Sequence, residues 1–564
     1  MSSYAADSFT ADERELLSRY FTNLDGPVFA LTNLPEVVKG ALFARYSRSA
    51  KSLRRLFLDE FVDDLDVAGD TSLDATVGLK RAERLYEKVF FEYGDDSVAQ
   101  LGGVHIACEQ SSNILTKILE RGRLMAYLEQ STRYVPYDSR LATGHYRYRR
   151  DPQVLASPLG AGYIGEMDRI FDSYAELLAE LQRHVARAHP QEEGTSDIAY
   201  RQSVRAQALD AVRGLLPAGV LSNLGIYGSG QSFEMLLLRM RSHPLAEARE
   251  CAAMMLDELR KVIPSFLTRV DRPDRGGEWS DYFAETRRAS SEVVESILET
   301  DSRHAAEEAA TGASVRLADS DPDGEERVLA AILYEHGILS AAGAADLARL
   351  LSSSEREAVF KAYVGERRNR RHRPGRAFEA TSYRFDIVSD YGAFRDMQRH
   401  RMATVEWQPL TTALGYSVPA LVEDAGVGDR YRESMERSTA LFETLRPIFP
   451  EQATYAIALG YNIRYSMDMS AREAMHVIEL RSGVQGHPSY RVIAQEMHRL
   501  IESRAGHKLI SAAMKFVDHD DHGLGRLEAE RRADARRATP VELGEHADAA
   551  GRHGLDASVS PRHN

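Results

Sequence analysis

The sequence predicts an α+β fold built from two tandem copies of one helix-rich domain. Three observations predict it. The chain has 564 residues, too many for one compact core. Helical periodicity dominates, and strand candidates are few. A set of short arginine- and proline-bearing elements occurs twice in the same order.

Taken along the chain, AQLGGVHIACEQSSNILTKILERGR carries Leu101, Val104, Cys108, Ile114, Leu115 and Ile118 broadly at helical spacing. The spacing predicts a helix there, with Ser97 as its N-cap after Gly94-Asp95-Asp96. SFEMLLLRMR (232–241) and SAREAMHVIELR (470–481) predict a second pair of helices. Pro244 and Pro488 then open LAEARECAAMMLDELRKVI and SYRVIAQEMHRLIESR. KVFFEYG (88–94) and ATSYRFDIV (380–388) have the alternating, aromatic character of strands. Polar stretches with Pro and Gly, DRPDRGG and LADSDPDGEE, flank a helical EVVESILET and predict a linker over 272–325. From 519 to 564 large apolar residues are scarce, which predicts a disordered tail. The domains then fall at 1–271 and 326–518.

The repeat runs Arg121-Gly122-Arg123, Arg213-x-x-x-Pro217, Arg241, His243-Pro244 in the first half. In the second it runs Arg399-His400-Arg401, Arg446-x-x-x-Pro450, Arg481, His487-Pro488. Spacings differ because the first half carries an insertion around 140–200.

Composition narrows the function classes. The apolar fraction of 43% supports ordinary cores, and no run of about eighteen apolar residues predicts a membrane span. The N-terminal MSSYAADSFTADERELLSRYF lacks the basic-then-apolar pattern of a signal peptide. A net charge of -14 argues against a general nucleic-acid binder. The basic run RRNRRHRPGR, Arg367 to Arg376, is the one feature favouring nucleic acid, and it lacks interleaved aromatics for base stacking. Two cysteines, Cys108 and Cys251, exclude a disulfide framework and are too few for a cysteine zinc site. Both sit in apolar contexts that predict core packing in a reducing, cytoplasmic setting, and no metal site is expected.

The chemistry concentrates in RGRLMAYLEQSTRYV, Arg121 to Val135. Arginine's planar fork makes bidentate bonds to phosphate and to carbonyl edges. In Glu129-x-Ser131-x-Arg133 a carboxylate acceptor, a hydroxyl and a guanidinium alternate. On an extended segment they would share one face and suit a nucleotide monophosphate. A surface salt-bridge network is the other reading of the same residues.

RGRLMAYLEQSTRY resembles the signature of the flavin-dependent thymidylate synthases, RHR-x-x-S-x-N-E-x-S-x-R-Y, at Arg121, Arg123, Glu129, Ser131, Arg133 and Tyr134. Gly122, Ala126 and Leu128 depart from it. QRHRMATVEWQPLTT matches the RHR at Arg399, His400 and Arg401, then carries Trp407, Pro409 and Thr411 where the family has Glu, Ser and Arg. The family's N-x-R-x-x-x-(N/H)-x-x-x-L-R helix is matched by Arg472, His476, Leu480 and Arg481, with Ser470 for the asparagine. In the first half only Arg241 matches it. Phe378-Glu379 stands where the family has F-E ahead of RHR.

The resemblance implies a central, mainly antiparallel sheet in each copy. It implies an FAD enzyme that makes dTMP from dUMP, with methylenetetrahydrofolate as carbon donor and NADPH as reductant. Cofactor contacts would fall to Glu379, Arg399, His400, Arg401, Arg472 and His476. Substrate contacts would fall to Arg121, Arg123, Glu129, Gln130, Ser131, Arg133, Arg213 and Arg446, with Arg481 on the uracil edge as the catalytic group. The losses in the two halves are complementary, so the expectation is one composite site per chain, in a homodimer that mimics the family's tetramer. The alternative is a diverged relative that binds FAD or a pyrimidine nucleotide with altered or lost activity.

Overall fold

Each half of this computed structural model is organised by one four-stranded antiparallel sheet. The structure describes residues 4, 7–34, 36–62, 102–191, 196–300 and 312–520. The first sheet comprises β1 (Val28–Leu31), β2 (Gly103–Ser112), β3 (Met125–Glu129) and β4 (Leu221–Ser229), in the order β1-β2-β4-β3. The second comprises β5 (Ser314–Ser320), β6 (Ser382–Asp390), β7 (Thr404–Trp407) and β8 (Asn462–Ser470), in the order β5-β6-β8-β7. The helices repeat with them. α1 (Asn113–Leu119), α2 (Gly230–Arg241) and α3 (Ala246–Arg260) recur as α4 (Tyr391–Met397), α5 (Ala471–Arg481) and α6 (Pro488–Ser503). The tandem α+β architecture expected from sequence is therefore the observed one.

Local chemistry sets the repeat's register. Strand β4 ends at Ser229, whose hydroxyl accepts from Ser232 N and caps α2. Strand β8 ends at Ser470, whose hydroxyl caps α5 in the same way through Glu473 N. Cap on cap, Gln231 corresponds to Arg472, Met235 to His476 and Met240 to Arg481. The expected match of Arg241 to Arg481 is one residue out of step, because α2 is one residue longer than α5.

Of the stretch expected as one helix from Ser97 to Arg123, residues 103–112 are strand β2 and 113–119 the short helix α1. The alternation of β2 is broken by a bulge between Cys108 and Ser111, where Gln110 adopts φ 53°. That break gives the run its near-helical spacing, and Cys108 is a strand residue. Ser97 and the strand expected at 88–94 lie outside the described residues, as does the tail from 521. Strand 380–388 is found as β6. Residues 314–320, expected within the linker, form β5 and pair antiparallel with β6. EVVESILET belongs to a 23-residue helix, Glu278–Thr300.

The halves exchange backbone hydrogen bonds reciprocally. Ala218 N donates to Ile457 O at 2.7 Å, and its counterpart Leu459 N donates to Leu216 O at 2.8 Å. Gly219 N donates to Tyr455 O, and Gly460 N to Gly214 O, both at 2.8 Å. Such mutual bonding marks a local two-fold relation between the copies. It also pairs Arg213 with Thr454, so Arg446 is not the second-half counterpart of Arg213. The insertion of the first half supplies the helix Gly160–Ala188, which buries Tyr163, Met167, Phe171 and Tyr174. It packs along the second-half helix Gly428–Leu445, with Arg430 reaching Glu176 and Glu180. One hydrophobic cluster consequently spans both halves.

A Cβ at Gly219 would lie 2.9 Å from both Cβ and the backbone oxygen of Tyr455. Gly219→Ala is expected to destabilise the chain by roughly 1–3 kcal/mol in urea unfolding. Gly40→Ala, with nothing within 4 Å, is expected to stabilise it by about 0.5–1 kcal/mol.

Candidate functional site

Charged side chains from both halves meet at Asp396, on the last turn of α4. It lies three residues before Arg399 and so faces the same way. Arg399 Nη1 and Arg481 Nη1 each lie 3.8 Å from Asp396 Oδ1, and Arg213 Nη1 lies 3.5 Å from Oδ2. Burial alone would raise the Asp396 carboxyl; the guanidiniums of Arg399, Arg481, Arg213 and Arg133 overcome it and hold it well below the usual range. Arg133 and Arg213 come from the first half, Arg399 and Arg481 from the second.

A second carboxylate makes the reverse crossing. Glu129, at the end of β3, accepts from Arg395 Nη2 at 2.8 Å and from Arg399, both of the second half. Lys117 Nζ of its own half lies 3.3 Å away. Burial would raise Glu129 too, and Arg395, Lys117 and Arg399 drive it far down instead. Breaking such a buried set by removing one partner costs about 3–5 kcal/mol.

The expected substrate loop is turned rather than extended. The strand stops at Glu129, and Thr132 to Tyr134 form a turn, so Glu129, Ser131 and Arg133 do not share a face. Gln130 is buried and its amide donates to Ser49 O. Ser131 Oγ accepts from Arg133 N at 3.2 Å. Arg133 is held bidentately by Asp210 at 2.7 Å and donates to Tyr490 Oη at 2.9 Å. Arg213 is 3% exposed, and its Nε and Nη2 have no hydrogen-bond partner. It lines a cavity of about 570 Å³ shared with Asp210, Asp390, Tyr431, His487 and Arg491, whose apolar wall includes Val418 and Leu421. Arg446 stands apart from all of this, exposed and paired with Glu443 at 2.9 Å.

On the second-half side, Arg481 Nε donates to His400 Nε2 at 2.9 Å, and Arg481 Nη2 donates to Asp396 O. Arg373 Nη2 donates to His476 Nδ1 at 2.9 Å. Glu473 lies 3.6 Å from His400 Nδ1. Burial, then Arg481 and His476, keep His400 well below its ordinary value. Burial, then Arg373 and Arg370, bring His476 to about 4. Burial pushes Glu473 up to about 7. Arg472 Nε donates to Pro374 O and its Nη1 lies 3.5 Å from Glu379. His400, Glu473 and His476 have metal-ligand spacing. Arginine can only donate, so the imidazole nitrogens facing Arg481 and Arg373 hold the lone pairs and the opposite nitrogens carry the protons. A cation would need both arginines to leave, and the surroundings favour an anion.

Arg121 and Arg123, expected beside the substrate loop, turn away from it. Arg121 pairs with Glu406 at 2.8 Å, and Arg123 Nη2 donates to Thr404 Oγ1 at 2.7 Å. Arg401 donates to Met125 O. These three line a second cavity between the two Arg-x-Arg turns.

The two-fold relation defines a counterpart of the Asp396 site with the halves exchanged. There Trp407, Pro409 and Thr411 replace Glu129, Ser131 and Arg133, while Thr454 replaces Arg213. Ile118, Gly122 and Met240 replace Asp396, His400 and Arg481. The counterpart keeps Lys117, Arg121 and Arg123 in place of Arg395, Arg399 and Arg401, and has lost the other charged groups of this set. Sequence reading missed Asp396, Lys117, Arg395, Asp210 and Tyr490. Only Asp396 carried a local signal, its i, i+3 spacing from Arg399.

Comparisons with known proteins bear on both halves. The family described as thymidylate synthase complementing protein matches residues 42–265 and 316–505. A UPF0159 protein of Chlamydia muridarum is 38% identical over 532 residues, covering 93% of this chain and 99% of that protein. A UPF0159 protein of Thermoplasma acidophilum is 30% identical over 525 residues, covering 88% and 99%. Among solved structures, a UMP/dUMP methylase of Streptomyces cacaoi bound with 5-Br dUMP shows 15% identity and a TM-score of 0.30, over 38% of this chain and 98% of that chain.

His487 caps α6 through Nδ1, which accepts from Ser489 N, and its Nε2 donates to Asp210 O across the seam. Burial holds it at about 4. A folded value below the ordinary ~6.5 gives stability that is full above about pH 6.5 and is lost as pH falls through 4. The urea midpoint is expected to drop between pH 7 and pH 4.5. His487→Asn, which keeps a cap acceptor, is expected to drop less steeply.

Proposed function

The chain belongs to the thymidylate synthase complementing protein family, and from that membership we propose an FAD-dependent thymidylate synthase that converts dUMP to dTMP at one composite site per chain. Methylenetetrahydrofolate is the carbon donor and NADPH the reductant. The observation that carries this reading is the convergence of Arg133, Arg213, Arg399 and Arg481 on Asp396, with no equivalent at the counterpart position.

Roles follow from position. Arg213, buried with Nε and Nη2 making no hydrogen bond and lining a cavity large enough for a mononucleotide, takes the phosphate. Arg133 joins it by exchanging Asp210 for the ligand. Arg481, aimed by His400 and the Asp396 carbonyl, donates to the uracil edge and stabilises charge developing on the ring. Glu129 and Gln130 act as supports of this geometry.

The donor set beside His400 suits a dinucleotide cofactor. Arg373 and Arg472 supply positive charge for a pyrophosphate, and the uncharged imidazoles of His400 and His476 suit a neutral ring system. Glu379 orients Arg472. FAD bound there supplies hydride chemistry. Because each chain carries both halves, two chains would reproduce the family's tetramer.

One observation favours a second reading, a relative with altered or lost activity. Asp396 and Asp210 already neutralise the arginines that the substrate phosphate would meet. An entering anion must displace them.

The visible spectrum of the purified protein, before and after FAD and then dUMP, tests the reading. A bound-flavin spectrum that shifts with dUMP is expected. A protein that takes up no FAD contradicts it. Arg133→Ala is expected to lose dUMP affinity by about ten- to a hundredfold and keep FAD; Arg472→Ala is expected to do the reverse.

A further inference from the structure

The second cavity, of about 500 Å³, lies on the degenerate side, between the turns Arg121–Arg123 and His400–Ala403. Helix α2 walls it with Gln231, Ser232, Met235 and Arg239. These positions correspond to the Arg472–Leu480 face of α5, with different chemistry. Four arginines reach it: Arg121, Arg123, Arg239 and Arg401. Among the described residues only Arg121 of these four has a carboxylate partner, Glu406. Glu120 also lines the cavity, but it is bound to Lys117. Arg123 and Arg401 donate to neutral oxygens. Arg239 has no carboxylate partner among the described residues, and burial with Arg121 nearby lowers its proton affinity. About three positive charges are thus left over around one half-enclosed space. Trp407 supplies an aromatic face, already stacked by Arg121 at 5.0 Å, and Met235 and Met125 supply soft apolar contacts.

We propose that this cavity is a second ligand site, separate from the composite site, for a planar heteroaromatic ring carrying a phosphate group. Unpaired guanidiniums fix the phosphate, and Trp407 with the methionines takes the ring. His400 forms part of both walls, so an occupant touches the residue that aims Arg481. The degenerate half has kept a pocket after losing the counterpart groups, which assigns that half a binding role of its own.

Trp407 and Trp279 are the two tryptophans of the chain, so a Trp279→Phe background makes fluorescence report on this cavity. The full-length protein, first saturated with FAD, is titrated with AMP, dTMP and FMN in turn. At least one is expected to change Trp407 emission saturably, with inorganic pyrophosphate competing. Arg239→Met is expected to weaken that response about tenfold, the loss of one charged contact. Arg133→Ala, which disables the composite site, is expected to leave it unchanged. The proposal is overturned by silence from all three probes at millimolar concentration, or by insensitivity to Arg239→Met. It is equally overturned if Arg133→Ala abolishes the response, because the ligand is then in the composite site. If FAD saturation blocks every probe while the FAD-free protein responds, the cavity belongs to the cofactor and the proposal fails, while the synthase reading stands.

Discussion

Each half of this chain sets a carboxylate, the buried Glu129 and the largely buried Asp396, against arginines of the other half. Glu129 crosses to Arg395 and Arg399, and Asp396 is surrounded by arginines that include Arg133 and Arg213. A buried carboxylate without its partners is costly, so neither half can part from the other without leaving charge stranded. The reciprocal backbone bonds at Leu216–Gly219 and Tyr455–Gly460 fix the relative rotation of the halves. The Asp396 and Glu129 carboxylates then lie on one side of the pseudo-two-fold.

Duplication explains why one chain can afford such asymmetry. In a symmetric assembly every substitution appears in every site. In a tandem chain the loop Glu129–Arg133 can persist while its copy becomes Trp407–Thr411, and Arg481 can persist while its copy becomes Met240. The result is one cluster of arginines around Asp396, a cavity lined by Arg213 beside it, and a differently lined, arginine-bearing cavity where the counterpart stood. The helix Gly160–Ala188 adds an apolar seam that the second half does not duplicate at that length.

The tandem arrangement was legible in the sequence because the Arg-x-Arg turns and the His-Pro helix starts survive divergence in order. The alignment of Trp407, Pro409 and Thr411 with Glu129, Ser131 and Arg133 holds against the strand pairing. Register elsewhere was harder. Arginine spacing matched Arg446 to Arg213 and Arg241 to Arg481, whereas the serine caps and the reciprocal bonds give Thr454 and Met240. Strand β2 was hidden by its bulge at Gln110, which makes an alternating run look helical. The partners of Glu129 and Arg133, from Arg395 to Asp210, are distant in sequence and became visible only once the halves were folded together.

The central claim is one composite site per chain, and ligand counting tests it most directly. Equilibrium dialysis of FAD-saturated protein against dUMP, in the Arg239→Met background, should give one dUMP bound per 564-residue chain, abolished by Arg213→Ala. Two equivalent dUMP molecules per chain, or one that survives Arg213→Ala, would contradict it.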